Sequence, residues 1–460
     1  MKPVNINVNF SEILGKIKPM HSVNNGPVGG RAHASGDSNA HLFTEAAIPY
    51  ARNHDANFWG CYGAPHTVDI IAIFPNFDAD ENDPESYDFH LTDEYNKKIA
   101  DTGTKVFYRL GNKIEHESKK YGAIPPKDFH KFARICEHII RHMNEGWADG
   151  THLGIEYWEI WNEPDYYPAC WKGKQEGYFE LYDVTARHLK KCFPNLKIGG
   201  PAVTRSTNER FLKPFFEYLT KDKNDPAPMD FFSFHWYGTD PKEIAEHCEI
   251  ARKLLDKYRY FNTETILNEW NYVRGWDSGA VMLYNKKVIP SLKGSAFITS
   301  TMISCHKTPL DHLMYYDASM PSMWNGLFDR DTYKPLKPYH ALYCFSRLYL
   351  LGNEIKCDCD TEKVYSLSAI SDDKKEAAIL VSHYADLEPI DSKGCETEIK
   401  TVRIDWSDFT SENGIKVTYS IIDDEKDAEV VSEEIFFGDK GAHILKVPMY
   451  TTILITLSKL

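Results

Sequence analysis

The chain has 460 residues, a formal charge of −14 at pH 7, 42% hydrophobic and 13% aromatic residues. That acidity argues against nucleic acid or an anionic membrane surface as a partner, and the apolar fraction is enough for more than one sizeable core. No apolar run approaches the roughly 20 residues of a membrane span. The opening MKPVNINVNFSEILGKIKP has neither an apolar h-region nor a small-residue cleavage site, so no signal peptide is expected. The ten cysteines have no framework spacing and read as free thiols in a reducing cytoplasm. Cys357 and Cys359 read as part of an ordinary strand.

In chain order, Val4, Ile6, Val8 and Phe10 alternate with polar residues, predicting a strand within residues 1–20 that joins the C-terminal β region. His21 to Gly30 reads as a loop after the first barrel strand. Pro49 to Asp55 reads as a second strand end carrying Arg52 and His54. Phe58 to Tyr87, rich in acids and turn residues, reads as a long loop over the barrel mouth. A helix over Leu91 to Thr102 and a buried strand over Lys105 to Gly111 follow. Pro126 to Trp147 has Phe129, Phe132, Ile135, Ile139, Ile140 and Met143 near helical spacing.

Gly154 to Asp165, GIEYWEIWNEPD, reads as a strand in which Ile155, Tyr157, Glu159 and Trp161 share one face. Pro164 has no N–H for a ladder and stops it. Glu163, which precedes the proline, is expected in an extended conformation. Alternation continues with helix Glu176–Cys192, strand Leu196–Pro201, helix Glu209–Thr220, strand Asp230–Tyr237 and helix Pro241–Tyr258. It ends with strand Glu264–Trp270, helix Lys286–His306, strand His312–Asp317 and helix Pro338–Leu351.

Eight strand–helix alternations predict an α/β fold, a (β/α)8 TIM barrel over residues 21–352. No glycine-rich dinucleotide or phosphate loop opens any helix, which counts against a Rossmann or P-loop enzyme; no cofactor is expected, and no metal, since no His-x-His pair ends the first strand. After Gly352 helical periodicity disappears. Val364–Ile370, Ala377–Ser382, Thr397–Ile404, Gly414–Ile422, Glu429–Phe437 and His443–Leu457 read as strands of a β-sandwich over residues 353–460, a scaffold completed by residues 1–20.

Two of the barrel strands end alike, in Asn162-Glu163 and in Asn268-Glu269, separated by about three βα units of roughly 35 residues. Two carboxylates at the C-terminal mouth of a barrel are the equipment for cleaving a glycosidic bond. With Arg52-Asn53-His54 on strand two, WEIWNEPD on strand four, His235 and Tyr237 on strand six, and Gly326-Leu327-Phe328 leading to Lys337-Pro338-Tyr339, the chain resembles the retaining (β/α)8 glycosidases. It is most similar to glycoside hydrolase family 39, the family of β-xylosidases and α-L-iduronidases.

The resemblance implies Glu163 as acid/base, with a pKa raised by surroundings such as Trp161 and by its like-charged partner, and Glu269 as nucleophile. It further implies that Tyr237 donates to Glu269, that Asn162 holds the sugar 2-hydroxyl, that Trp270 and Trp324 stack on sugar faces, and that Arg52, His54, His235, Tyr316 and Asp317 line the site. At strand eight the β-xylosidases carry a tryptophan and then an acidic pair. Here the run is LMYYDASMPSMW, with Leu313 in the tryptophan's place and Trp324 as a substitute platform. The expected activity is that of a β-xylosidase-like exo-glycosidase on a small oligosaccharide or glycoside. The alternatives are an arabinoside or another β-linked sugar, a non-catalytic sugar-binding barrel, and a metal-dependent hydrolase built on His21, His54 and His235. Homo-oligomerisation is left open.

Overall fold

The computed structural model describes residues 3–28, 38–54, 56, 67–277, 279–320, 322–359, 361–438 and 440–460. The first strand, β1 (Val4–Lys16), buries Val4, Ile6, Val8 and Phe10 and turns the alternate residues outward. It does not enter the barrel.

The barrel is closed by eight strands: β2 (Ser22–Asn24), β3 (Tyr50–Arg52), β4 (Lys105–Leu110), β5 (Tyr157–Ile160), β6 (Lys197–Val203), β7 (Phe231–Gly238), β8 (Glu264–Tyr272) and β9 (His312–Tyr315). Neighbouring strands are parallel all the way round. Helices connect them, and their ends follow local chemistry. Helix Phe129–Glu145 starts where Asp128 accepts from the His130 and Lys131 amides (2.8 and 3.0 Å) and stops at Gly146, whose left-handed φ of 79° favours a residue without a Cβ.

Inside the barrel, Tyr50, Phe107, Tyr157, Phe231, Ile266 and Met314 form one apolar layer. Two residues further along the strands come Arg52, Arg109, Glu159, Ser233 and Asn268, all buried. Strand side chains alternate, so Trp158 and Ile160, the neighbours of Glu159, lie in the large core shared with the surrounding helices. An apolar floor thus carries a polar layer just below the C-terminal mouth.

The remaining strands are β10 (Asn353–Cys359), β11 (Val364–Ile370), β12 (Glu376–His383), β13 (Ile399–Ser407), β14 (Ile415–Ile422), β15 (Asp427–Phe436), β16 (Lys440–Pro448) and β17 (Thr452–Lys459). With β1 they form one hydrogen-bonded sheet in the order β15-β14-β17-β12-β11-β10-β1-β13-β16. The sheet wraps round a core of its own, drawing on β1 and most of the other strands. Its two ends meet where Trp406 packs on Phe436 and Tyr419 on His443, which gives the layered β-sandwich. β1 sits inside this sheet, antiparallel to β10 and parallel to β13.

Several elements differ from expectation. Ser22–Asn24, within the segment read as a loop, is the first barrel strand. Pairing with β3 and β9 outweighs its weak β propensity, and Gly30 lies outside the described residues. The helix read as Lys286–His306 is two, Gly279–Val288 and Leu292–His306, broken at Pro290 with Ser291 capping the second. The strand read as His443–Leu457 is split after Pro448 into β16 and β17, with Tyr450 at φ 65° in the turn. Of the segment Phe58 to Tyr87, residues 58–66 lie outside the described residues. The rest holds a short helix, Ile70–Ile73, and a 3-10 turn, Pro84–Ser86. No described helix is long and apolar enough to cross a membrane.

Because β1 lies within the sheet, its buried side chains should matter to the whole unit. Ile6→Ala should cost about 2–5 kcal/mol, read as a lowered thermal midpoint. Ile13→Ala on the same strand, where the side chain is 47% exposed, should leave the midpoint nearly where it was.

Candidate active site

The polar layer is organised by Arg52, a fully buried guanidinium at the end of β3. Its Nε and an Nη each lie 2.7 Å from Glu159 Oε2. Nη1 donates to Glu269 Oε1 (2.7 Å) and Asn24 Oδ1 (3.1 Å), and Nη2 donates to Asn162 Oδ1 (2.7 Å). Burial alone would lower the pKa of Arg52, but the charges of Glu159 and Glu269 outweigh it and hold the value above the ordinary one. The other oxygen of Glu159 accepts from Ser233 Oγ (2.6 Å) and Asn268 Nδ2 (2.5 Å). Residues near the ends of β2, β3, β5, β7 and β8 are thereby tied to one cation and its counter-ions.

Glu269 lies on β8 and is almost fully buried. Besides Arg52 it accepts from Tyr237 Oη (2.9 Å, to Oε2). Burial, then the charges of Glu269 and Glu163, push the Tyr237 hydroxyl well above its usual range, so it stays a donor. His54 Nε2 is 3.8 Å from Glu269 Oε1. On the other side of that ring, Arg109 Nε donates to His54 Nδ1 (3.1 Å). A guanidinium can only donate, so the proton of the neutral ring is on Nε2, toward the carboxylate. Asp69, ion-paired with Arg109 at 2.5 Å, completes this support.

Glu163 stands just past β5 and is half-buried. Its backbone is left-handed, φ 45°, not extended as the following proline suggested; Trp161 is left-handed too, φ 77°. The cause is tertiary. The Trp161 amide donates to Leu110 O (2.6 Å) and the Glu163 amide to Ala202 O (2.9 Å), so the chain turns sharply between two neighbouring strands. Such backbone is costly for a side-chain-bearing residue and is held by its surroundings. Trp161, expected to shield Glu163, packs instead with Phe132 and Trp171 and donates its indole N–H to Cys170 O (2.9 Å).

His235 bridges the pair. Its Nδ1 is 2.9 Å from Glu163 Oε1 and 3.4 Å from Glu269 Oε2. Burial lowers the His235 pKa despite the opposing pull of Glu269, which keeps the ring neutral. One oxygen of each glutamate and a ring nitrogen of His235 all lie within 4.8 Å of one another. Three such donors have the spacing of a metal site, but the Glu269 oxygens already face Arg52 and Tyr237, and the guanidinium opposes a cation there. His21 is elsewhere: its Nε2 meets Ala47 O (3.1 Å), and its ring packs on Phe345 and Tyr349. The histidine trio of a metal-dependent hydrolase is not assembled.

The remaining expected residues divide. Tyr316 and Trp324 stand near Tyr237, with ring centroids at 6.3 and 6.0 Å. Asp317 is buried and accepts from Asn25 Nδ2 (3.3 Å). Trp270 is a correction. It is 1% exposed and packs on Phe297 of helix Leu292–His306 and on Tyr315. A bulge at Asn268, between the Phe234–Leu267 and His235–Glu269 pairs, turns both Asn268 and Glu269 inward and sends Trp270 to the helix side, away from any sugar. Leu313 is a buried residue of β9. Sequence reasoning missed Glu159 as the counter-ion, Asn24, Arg109 and Cys170, whose Sγ is 3.7 Å from Glu163 Oε2. Only Glu159 had a signal, a charge on the Tyr157 face of an aromatic strand.

Residues 45–269 match the family model described as Glycosyl hydrolases family 39. Over these residues the chain is similar to that family. The chain is 24% identical over 329 residues to a β-xylosidase of Caldicellulosiruptor saccharolyticus, covering 65% of this chain and 61% of the relative. It is 31% identical over 183 residues to a β-xylosidase of Geobacillus stearothermophilus, covering 39% of this chain and 32% of the relative. It therefore spans less than two thirds of either protein. A glucosidase structure from Croceicoccus marinus superposes with a TM-score of 0.82 at 19% identity, covering 100% of this chain and 99% of that one. The matched residues include Arg52, His54, Glu159, Glu163, His235 and Glu269, whereas Tyr316, Asp317 and Trp324 lie beyond them.

Two outcomes follow from these contacts. Arg52→Met keeps the volume but leaves Glu159 buried without a cation, which should cost about 3–5 kcal/mol and lower the thermal midpoint by several degrees. The Cys170 thiol is raised well above its ordinary pKa, by burial first and then by Glu163. A raised thiol pKa keeps the neutral, unreactive form through pH 8, so iodoacetamide at that pH should leave Cys170 unalkylated by peptide mass spectrometry.

Proposed function

We propose that the protein is a retaining glycoside hydrolase, acting by double displacement as a β-xylosidase-like exo-glycosidase on a small oligosaccharide or glycoside. The observation that carries this reading is the closeness of Glu163 and Glu269, with oxygens within 4.8 Å across one imidazole. Retaining enzymes hold their carboxyl groups about 5–5.5 Å apart, whereas inverting ones need about 6.5–9.5 Å to admit a water.

Roles follow from the environments. Glu269 receives Arg52 and Tyr237, two donors that favour its ionised form. Glu163 lies close to the Glu269 carboxylate, and in the proposed mechanism that like charge keeps a proton on Glu163. Glu163 gives its proton to the leaving oxygen as Glu269 bonds to the anomeric carbon. Glu163 then takes a proton from the water that releases the sugar. His54 and Arg52 orient the nucleophile. Arg52 also occupies the oxygen of the Asn162 amide, leaving its NH2 end to donate to the sugar 2-hydroxyl. Cys136, Cys170, Cys192, Cys248, Cys305, Cys344, Cys357 and Cys395 are free thiols, which fits action in a reducing cytoplasm; Cys61 lies outside the described residues.

β-Xylosides are favoured by the two curated relatives. A second reading keeps the mechanism and changes the sugar to an arabinoside or another β-linked unit, as the fold likeness to a glucosidase and Leu313 in β9 suggest. A sugar-binding barrel without catalysis would have no need of two oppositely tuned carboxylates.

The test is hydrolysis of aryl β-xyloside, α-L-arabinoside, β-galactoside and β-glucoside by wild type, Glu163→Ala and Glu269→Ala. Glu269→Ala should fall to about one thousandth of wild type or below on every substrate. Glu163→Ala should lose about 10²–10⁴-fold in turnover, still release the aryl group in a first burst, and recover turnover with azide. Wild-type rates in Glu269→Ala would exclude the mechanism.

A further inference from the structure

Trp276 follows β8 and is 56% exposed, unusual for so large an apolar ring. Its ring centroid lies 5.4 Å from Trp324 and 5.4 Å from Tyr237, the tyrosine that bonds Glu269. Two indoles thus stand beside the nucleophile's partner at the edge of the barrel mouth, one of them open to solvent.

The backbone leading to Trp276 is held from three sides. Val273 N donates to Gly238 O at the end of β7 (3.1 Å). Asn285, on helix Gly279–Val288, accepts from Arg274 N (3.0 Å) and donates to Gly275 O (3.1 Å). The third side is the sheet. In the turn after β12, Asp386 takes both carboxylate oxygens to Arg274 Nη2 (3.1 and 3.2 Å), and Glu388 accepts from Arg274 Nη1. Asp386 is itself fixed by Lys293, whose buried Nζ is 2.5 Å away, and by Tyr272 Oη (2.7 Å). Lys293 and Tyr272 belong to the barrel, so this contact is built in from both units.

We propose that the nine-stranded sheet takes part in substrate binding through Arg274: its 386–388 turn grips the guanidinium, and Arg274 sets Trp276 beside Trp324 as a stacking face for a sugar ring beyond the one cleaved. The flat C–H face of a pyranose is the chemistry that suits a half-open indole. Arg274 is a positioning residue and touches neither glutamate. The choice of sugar rests on the glycosidase reading; the geometry of the tether does not.

The experiment is xylotriose titrated into the Glu269→Gln protein, followed by tryptophan emission. Xylotriose should quench the emission. Adding Trp276→Ala should weaken affinity about tenfold and remove most of the quench. Adding Arg274→Leu, which leaves Lys293 paired with Asp386, should weaken it about threefold, with part recovered by Arg274→Lys. In the active enzyme, Arg274→Leu should raise KM for xylotriose by more than it lowers kcat, a split that general misfolding would not produce. Equal xylotriose affinity in all three proteins, or no quench at all, overturns the inference. Hydrolysis of aryl β-xyloside by the wild type would in that case leave the proposed function standing.

Discussion

One buried guanidinium sets the terms for the rest of the barrel. Arg52 has no solvent, and a cation in that position is tolerable only if paired and hydrogen-bonded. Glu159 and Glu269 supply the charge, Asn24 and Asn162 supply neutral acceptors. The arrangement leaves one cation facing two carboxylates, so a third ionised carboxylate beside them would be strongly disfavoured. Glu163 is that third group. In the proposed mechanism its closeness to Glu269 and its neutral imidazole neighbour keep a proton on the carboxyl until the leaving oxygen takes it. In that mechanism the interaction that ties the strands together also separates the roles of two chemically identical side chains.

Legibility in the sequence varied with the kind of constraint. The two Asn-Glu strand ends were readable because a proline and a short aromatic run mark them locally. Alternation was readable as well, but the bulge at Asn268 that turns Glu269 inward and Trp270 outward was not, so the expectation of Trp270 as a sugar platform followed the resemblance alone. Proline breaks at Pro290 and Pro448 were visible, yet long apolar runs masked them. The polar three-residue strand β2 had no propensity to betray it, since its only reason to be a strand is pairing on both sides.

The hub itself was not legible. Arg52 could be named as a site residue, but its partners Asn24, Glu159, Asn162 and Glu269 come from three other strand regions, and nothing local brings them together. The left-handed backbone of Glu163 was hidden for the same reason, because it is imposed by hydrogen bonds to Leu110-side and Ala202-side strand ends and runs against the preference of a residue before proline. Trp276 sits in a short turn without periodicity, and Asp386, which anchors its loop, is over a hundred residues away in the sheet. Most of the sheet's own strands were plain in the sequence, though β16 and β17 read as one, whereas its contact with the barrel mouth depends on side chains that no pattern marks.

The stereochemistry of the first-formed product tests the central claim most directly. Hydrolysis of an aryl β-xyloside followed by proton NMR resolves the two anomers before mutarotation mixes them. A nucleophilic Glu269 placed close to Glu163 predicts β-xylose first, with the α anomer appearing later. Initial release of α-xylose would mean a single displacement by water and would contradict the covalent role of Glu269.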